Sequence, residues 1–119
     1  MSAPVILVVE DEPLLRLSAV LFLKEEGFEA LEARDAEAAI GLLERRSDVT
    51  LVFTDVDMGE GKDGLWLAAQ VHDTWPPIRI IITSGHRHVG AEMLPDGAVF
   101  IPKPYAEEDV VGTIRQLTA

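Results

Sequence analysis

Several polar side chains capable of chemistry stand where short runs of apolar residues end. They are Glu10, Asp11, Asp55, Thr83 and Lys103. Carboxylates are hard oxygen donors, and without a neighbouring imidazole or thiolate they suit Mg²⁺ or Mn²⁺. Phosphoryl transfer needs a nucleophile, cations that neutralise the phosphoryl oxygens, and hydrogen-bond donors that receive those oxygens. These residue types therefore predict metal-assisted phosphoryl transfer to a carboxylate.

Each of the five residues suits one part of that reaction. Asp55 is the candidate nucleophile and would form an acyl phosphate. Glu10 and Asp11 are the candidate metal ligands, directly or through water. Lys103 can pair with a phosphoryl oxygen as a point charge, and Thr83 can donate a hydrogen bond to one. Singly, each could be a helix cap, a turn residue or a solvated charge, so the hypothesis depends on their meeting in one place.

The elements that would bring these residues together are alternating strands and helices. Five apolar runs predict strands over Val5 to Val9, Phe28 to Ala33, Thr50 to Thr54, Arg79 to Thr83 and Ala98 to Pro102. Continuous runs of this kind are typical of strands buried on both faces. Helical spacing lies between and after them, over Pro13 to Glu26, Asp35 to Arg46, Gly64 to Asp73 and Glu107 to Leu117.

This alternation predicts an α/β fold in which a five-stranded parallel sheet has helices on both faces, the doubly wound arrangement. Ligands of such sheets bind beyond the carboxyl ends of the strands. The five candidate residues stand at or directly after those ends. The predicted fold therefore places them along one edge of the sheet.

The predicted helices differ in how well the pattern defines them. The first has Leu14, Leu17, Val20 and Leu21 on one apolar stripe. By contrast, the segment from Gly85 to Gly97 is interrupted by glycine and proline and offers little apolar stripe. Any helix between the last two strands should therefore be short or irregular.

Composition limits the classes of protein to which this chain can belong. Its 119 residues fit one domain, which we assign to residues 1–119, and 48% of them are apolar. No apolar run approaches the ~18 residues of a membrane span and no basic segment marks a secretory signal, so we expect a soluble cytoplasmic protein. The net charge of −11 disfavours direct binding to nucleic acid. The absence of cysteine excludes disulfides and thiolate chemistry.

Four segments of the chain resemble the receiver domain of two-component response regulators. They read VILVVEDEP, LVFTDVDMGEGKDG, IIITSGH and VFIPKPY, in the family's order and at close to its spacings. The resemblance covers nearly the whole chain and implies a flavodoxin-like sheet with the strand order 2-1-3-4-5. It implies a switch that a histidine kinase or a histidine phosphotransfer protein phosphorylates in the presence of Mg²⁺. It implies no enzymatic activity beyond the gain and loss of that phosphoryl group.

The resemblance also implies a role for each candidate residue in the phosphorylation site. Glu10 and Asp11 match the metal-binding acidic pair, and Asp55 matches the phosphoacceptor. The backbone carbonyl of Asp57 would complete the metal site, and the Asp57 side chain lies where the family tunes the lifetime of the phosphoryl group. Lys103 matches the phosphate-contacting lysine.

The same resemblance implies how the switch would act. Thr83 matches the switch hydroxyl, and Phe100 matches the aromatic residue that changes rotamer on activation. The peptide bond between Lys103 and Pro104 is cis in the family. The change would alter a surface that binds a downstream protein, which the sequence does not name.

Two features depart from the family's pattern. Gly59 stands where the family usually has proline, and the loop around it is one residue longer than the commonest form. The weak helical pattern between His86 and Pro95 falls where receivers have part of the face that binds partners. The output surface is therefore not defined by the pattern.

Two other functions fit part of the sequence. Asp55 and Asp57 also read as the DxD motif of haloacid dehalogenase phosphohydrolases, but that family places its nucleophile on its first strand, whereas Glu10 and Asp11 come earlier here. A degenerate receiver could act as a binding module without phosphate, although the expected site side chains are all present. Within the motif, Asp55 is favoured over Asp57 as the acceptor because Asp55 directly ends the apolar run.

The histidines and tryptophans are interpreted as structural. His72, His86 and His88 are scattered and have no further ligands beside them, which is typical of surface residues and not of a metal or phosphotransfer site. Trp66 and Trp75 are interpreted as core and turn packing.

Overall fold

Strands and helices alternate along the chain in the structure, a computed structural model that describes residues 3–85 and 88–119. The strands are β1 (Val5–Val9), β2 (Glu29–Ala33), β3 (Leu51–Asp55), β4 (Arg79–Ser84) and β5 (Val99–Pro102). The helices are α1 (Pro13–Glu25), α2 (Ala36–Arg45), α3 (Gly64–Thr74) and α4 (Glu107–Leu117). Their boundaries differ from the predicted ones by no more than about one residue.

All five strands are parallel and lie in the order β2-β1-β3-β4-β5. Helices α1 and α4 cover one face of the sheet, and α2 and α3 cover the other. Successive side chains of a strand point to opposite faces, so Val8 and Phe53 pack beneath α1 and α4 while Val9 and Val52 pack beneath α2 and α3. The doubly wound fold and its strand order are confirmed.

The central strands are buried as predicted, but the edge strands are not. Every residue of β1 and β3 is buried. In contrast, β2 exposes Glu29 and Glu32, and the residues of β5 are half-buried or exposed. The prediction that every strand is buried on both faces is wrong for β2 and β5, because each has a neighbouring strand on one side only.

Aspartate side chains fix where α2 and α3 begin. Asp35 Oδ1 accepts a hydrogen bond from the N–H of Ala38 at 2.8 Å and caps α2. Asp63 caps α3 in the same way, by accepting from the N–H of Trp66 at 2.8 Å. The cap of α3 also ends the loop that follows β3, which belongs to the candidate site. None of the helices in the described parts of the chain is both long and apolar enough to cross a membrane.

The apolar stripe predicted on α1 faces solvent. Leu14, Leu17 and Leu21 are 75%, 50% and 52% exposed, and only Val20 of the predicted stripe is buried. The core side of α1 consists instead of Ala19, Val20, Phe22 and Leu23. The prediction is wrong because α1 has apolar residues around most of its circumference, so periodicity could not choose between two sides. A leucine-rich helix face is thereby left exposed.

The described part of the chain between β4 and β5 is irregular, as predicted. Within the described residues 85 and 88–98, the helical structure is limited to a single 3-10 turn at Ala91–Met93. Val89 is buried in the core beneath α2 and α3, and Leu94 packs partly against it. Among these described residues, an irregular segment anchored by Val89 takes the place of a regular helix.

Candidate functional site

Three carboxylates meet where β1 and β3 end. Glu10 and Asp11 follow β1, Asp55 is the last residue of β3, and these two strands are neighbours in the sheet. One oxygen from each carboxylate lies within 4.8 Å of the other two. Glu10 and Asp55 are each only 7% exposed, whereas Asp11 is exposed. The structure thus brings together the three acids that the sequence placed at strand ends.

Lys103 reaches the two buried carboxylates from the end of β5. Its Nζ lies 3.1 Å from Asp55 Oδ2 and 3.2 Å from Glu10 Oε1. Its peptide bond to Pro104 is cis, as the resemblance implied. Burial lowers the pKa of Lys103, but the hydrogen bond and charge of Asp55, helped by Glu10, outweigh burial and leave that pKa raised. The ammonium group therefore stays charged and offsets part of the negative charge of the acids.

Glu10 is held by several contacts. The N–H of Glu12 donates to Glu10 Oε2 at 3.1 Å, and Arg16 Nη1 donates to the Glu10 carbonyl at 2.9 Å. Arg16 is fixed in turn by Glu32, with 3.0 Å between Nε and Oε1. Burial raises the pKa of Glu10, and the charge of Asp55 raises it further. Sequence reasoning missed Arg16, whose signal was a charged residue among the apolar positions of α1.

Thr83 lies beside Asp55 and has a buried hydroxyl group. The two residues are register partners on β4 and β3. Thr83 is 3% exposed, and its Oγ1 has no hydrogen-bond partner among the residues that the structure describes. Leaving a buried hydroxyl unpaired costs about 1–3 kcal/mol, so this donor is suited to receive a ligand. Asp55, Lys103 and Thr83 line the same small cavity.

Asp57 follows Asp55 by two residues and is tied to β4. Ser84 Oγ donates a hydrogen bond to Asp57 Oδ2 at 2.9 Å. The N–H of Asp57 points to Asp55 Oδ1 at a longer distance of 3.4 Å. Sequence reasoning gave Ser84 no role. Its signal was the position directly after Thr83, which the register of β3 with β4 brings next to the loop after Asp55.

The loop from β3 to α3 returns closely over the end of β3. The N–H of Gly64 donates to the Val56 carbonyl at 2.9 Å. A Cβ atom on Gly64 would overlap the backbone carbonyl oxygen of Asp55 and would lie 2.9 Å from the Val56 Cα. Residue 64 must therefore be glycine if Asp55 is to keep its backbone position.

Gly59 accounts for one departure from the family's pattern. Its φ is 68°, which proline cannot adopt because the proline ring fixes φ at about −65°. Gly61 in the same loop also has a positive φ, of 98°. A Cβ atom on Gly59 would lie 3.5 Å from Asp11 Oδ2. The longer loop therefore passes directly beside one of the three acids.

Phe100 lies on β5, close in register to Thr83. It is the register partner of Ile82, and the next pair along the two strands joins Thr83 to Ile101. Phe100 is half-buried and packs against the core beneath α2 and α3. The two residues that the resemblance named as a switch pair are therefore on adjacent strands, one register position apart.

Within the described residues, histidine takes no part in the acidic cluster. His72 Nδ1 lies 3.4 Å from the carboxylate of the next residue, at the end of α3, and His88 is exposed. His86 lies outside the described residues. Trp66 and Trp75 pack against the core beneath α2 and α3, which confirms their structural interpretation.

The donor atoms at the strand ends fit a hard divalent cation. Among the described residues, one group of three metal-ligating side chains comes together, and it consists of Glu10, Asp11 and Asp55. Carboxylate oxygens without imidazole or thiolate are the ligands that Mg²⁺ and Mn²⁺ prefer. Lys103 offsets only one of the three negative charges. A divalent cation would offset the others.

Replacing Lys103 with methionine is expected to destabilise the metal-free protein by about 1–3 kcal/mol. The change leaves the carboxylates of Glu10 and Asp55 buried and close together without the ammonium group that they share. Mg²⁺ should recover part of this loss, because a ligand that binds only the folded state stabilises it. Urea unfolding with and without Mg²⁺ measures both effects. Lys24→Met, at the exposed end of α1, is the matched control and should change stability by less than about 0.5 kcal/mol.

Known proteins match this chain over nearly its whole length. A family model described as the response regulator receiver domain matches residues 6–115. The sensor kinase CckA of Brucella abortus (strain 2308) is 32% identical over 116 residues, and the nitrogen assimilation regulatory protein NtrX of Azorhizobium caulinodans is 34% identical over 117. Each alignment covers 94% of this chain but only 12% of CckA and 26% of NtrX. The chain thus spans a small part of these relatives.

A solved structure shows the same architecture. The response regulator TrrA of Thermotoga maritima, in complex with Mg²⁺-BeF, superposes with a TM-score of 0.86 at 26% identity, over 96% of this chain and 98% of that one. The comparisons favour a phosphorylation-dependent two-component switch over a phosphohydrolase or a phosphate-independent receiver. Such domains are signalling domains and not enzymes. With its fold, its acidic cluster and these matches, the chain belongs to the family of response regulator receiver domains.

Proposed function

We propose that this chain is a switch in which Asp55 accepts a phosphoryl group from a histidine kinase or a histidine phosphotransfer protein. The observation that supports it is the pair of groups beside the buried Asp55. The Lys103 ammonium lies 3.1 Å from Asp55 Oδ2, and the adjacent Thr83 presents a buried hydroxyl that is unpaired among the described residues. A purely structural aspartate would need the lysine alone, whereas a phosphoryl group would use both.

The transfer would form one bond and break one. A carboxylate oxygen of Asp55 attacks the phosphorus, and the bond from phosphorus to the donor nitrogen breaks, so the electron pair of that bond returns to the imidazole. Lys103 neutralises charge on one phosphoryl oxygen, and Thr83 donates a hydrogen bond to another. The product is an acyl phosphate on Asp55. Acceptance from a small phosphodonor and loss to water would be the only reactions of the isolated chain.

Glu10, Asp11 and Asp55 would hold Mg²⁺ or Mn²⁺, together with the backbone carbonyl of Asp57. When bound, the cation supplies positive charge that stabilises the phosphoryl oxygens during transfer. The complex of TrrA with Mg²⁺-BeF supports a site of this kind. The hydrogen bond that Arg16 donates to the Glu10 carbonyl fixes the turn after β1 and would orient Glu10 as a metal ligand.

Phosphorylation would change the conformation of side chains on β4 and β5. Thr83 would turn its hydroxyl to the phosphoryl group, and Phe100 would respond one register position away on the adjacent strand. Phe100 is half-buried, so a second rotamer is accessible to it more easily than to a core residue. A downstream protein would then bind the surface formed by β4, β5 and residues 88–98 between them.

We also assign residues 1–119 to a single receiver unit. Two core clusters lie on opposite faces of the same sheet. Val5 belongs to one of them and Ile114 to the other, so side chains of the first strand and of the last helix both pack on this sheet.

Mass spectrometry of the phosphorylated chain tests the proposed function. The protein is incubated with Mg²⁺ and acetyl phosphate, and its intact mass is measured before the adduct is mapped on peptides. We expect one phosphoryl adduct, on the peptide that contains Asp55, and we expect excess chelator to prevent it. The absence of any adduct in the presence of Mg²⁺, or an adduct on a different peptide, would contradict the proposal.

The exposed leucine face of α1 is the surface that we expect a protein phosphodonor to contact. It consists of Leu14, Leu17 and Leu21, each at least half exposed; Leu15 is also half exposed but lies nearer the core side of the helix, four residues before Ala19. Leu15 also lines an open groove of about 430 Å³ that reaches Glu10 and Lys103. A donor that places its histidine over Asp55 would therefore cover these leucines, and each buried leucine contributes about 1.5–3 kcal/mol.

Leu14→Ser combined with Leu17→Ser is expected to slow phosphorylation by a protein donor at least about tenfold. Phosphorylation by acetyl phosphate should stay unchanged, because the small donor does not need the helix face. Transfer rates from the most active of a panel of purified histidine kinases measure the effect. Met93→Ser removes an exposed apolar side chain between β4 and β5 and serves as the control. Equal slowing with both donors would show that the variant damages the site and not docking.

A further inference from the structure

Ser84 contacts two of the segments that form the candidate site. It is the last residue of β4 and is 3% exposed. Its hydroxyl donates to Asp57 Oδ2 at 2.9 Å, and its carbonyl accepts a hydrogen bond from the N–H of Lys103 at 3.1 Å. One buried residue on a rigid strand thus contacts both the loop that follows Asp55 and the lysine that pairs with it.

The hydrogen bond from Ser84 fixes Asp57 just beyond the end of the β-ladder. The N–H of Val56 donates to the Thr83 carbonyl at 2.9 Å, so the pairing of β3 with β4 extends one residue past Asp55. Asp57 is the next residue, and its side chain is tied to the same strand through Ser84. A backbone held at Val56 and a side chain held at Ser84 leave residue 57 little freedom to rotate its carbonyl group.

We propose that Ser84 is a positioning residue for the divalent cation, acting by holding Asp57 so that its backbone carbonyl faces the acids Glu10, Asp11 and Asp55. The inference rests on the proposed function, which assigns that carbonyl to the metal site. A hydrogen bond to a carboxylate is among the stronger ones, and residues that orient metal ligands affect metal affinity without touching the metal. A serine that only satisfies its own hydroxyl would not have this effect.

The affinity of the folded chain for Mg²⁺, measured by isothermal titration calorimetry without a phosphodonor, tests this role. Ser84→Ala is expected to weaken Mg²⁺ binding about fivefold. Ser84→Thr keeps a hydroxyl group and should restore the affinity to within about twofold of the unmodified chain. In a chain that already has Asp57→Ala, adding Ser84→Ala should produce no further loss, because the bond is already absent.

A second pair of variants tests the same bond from the other side and does not depend on the folding of Ser84→Ala. Asp57→Asn and Asp57→Ala remove the same charge, but only asparagine keeps an oxygen that can accept from Ser84. We expect Asp57→Asn to bind Mg²⁺ more tightly than Asp57→Ala. Equal affinities of these two, or an unchanged affinity in a folded Ser84→Ala, would overturn the inference.

The phosphoryl adduct is measured on the same proteins at saturating Mg²⁺ to separate the two hypotheses. An adduct on Asp55, together with equal Mg²⁺ affinities of Asp57→Asn and Asp57→Ala, would contradict the positioning role of Ser84 and leave the proposed function intact. No adduct together with weakened Mg²⁺ binding in Ser84→Ala would remove the phosphoacceptor and keep Ser84 as a metal-site residue. Failure of the unmodified chain to bind Mg²⁺ would overturn both.

Discussion

Asp55→Asn is expected to abolish the phosphoryl adduct while the chain stays folded. The amide that replaces the carboxylate has nearly the same shape and still lies beside Lys103, but its oxygen is a far weaker nucleophile and cannot form the acyl phosphate. The loss should be complete within the detection limit of intact mass spectrometry after incubation with Mg²⁺ and acetyl phosphate. Circular dichroism and urea unfolding establish that the variant has kept its fold.

Asp57→Asn is the matched control for this experiment. Asp57 is two residues away, and the change has the same chemistry, yet the adduct should persist because it is the Asp55 carboxylate that lies 3.1 Å from Lys103 Nζ, on the register partner of Thr83. An adduct that survives Asp55→Asn but disappears in Asp57→Asn would mean that Asp57 is the acceptor. That result would reverse the choice made within the Asp55 and Asp57 motif.

Gly64→Ala is expected to destabilise the protein by about 3 kcal/mol or more. The new methyl group would overlap the carbonyl oxygen of Asp55 and crowd the Cα of Val56, and these are backbone atoms that cannot turn away as a side chain could. The strand cannot shift easily either, because the N–H of Val56 is bonded to Thr83 and its carbonyl to Gly64. Urea unfolding of both proteins measures the loss.

Gly112→Ala is the control for the effect of a methyl group by itself. Gly112 is in the middle of α4, and a Cβ atom there has nothing within 4 Å. Alanine favours helix over glycine, so this variant should gain up to about 1 kcal/mol of stability. A Gly64→Ala protein as stable as the unmodified chain would contradict the close backbone packing described for the loop after β3. If the variant stays folded but shifts Asp55, its phosphorylation should also slow.

The residues of the candidate site could be predicted because strand ends are visible in a sequence. A run such as Leu51 to Thr54 favours a buried strand, and the residue after such a strand emerges at the sheet edge where ligands bind. Asp55 and Lys103 are found by this rule, and Thr83 is the last residue of its own run. Their convergence then follows from the parallel topology, which the alternation of strands and helices indicates.

Features that depend on which side of an element packs could not be predicted in the same way. Helix α1 exposes Leu14, Leu17 and Leu21 on one side. It buries a second apolar set on the other, Ala19, Val20, Phe22 and Leu23, and a periodic pattern fits both. The hydrogen bond between Ser84 and Asp57 depends on the register of β4 against β3. Apolar runs in a sequence predict strand register only to within a residue or two. The positive φ of Gly59 depends on the path of a loop, for which glycine permits many conformations.

The contacts of Lys103 have a consequence for when the chain can receive a signal. Lys103 and Glu10 are 93 residues apart, and Lys103 and Asp55 are 48 apart, so the charge arrangement around Asp55 exists only after β5 has joined the sheet. During synthesis on the ribosome, a nascent chain can expose Asp55 long before Lys103 has emerged. Such a chain has Asp55 without its counter-charge, and under the proposed function it should be a poor substrate for a kinase. Under the proposed function, phosphorylation would therefore require that β5 has joined the sheet and placed Lys103 beside Asp55.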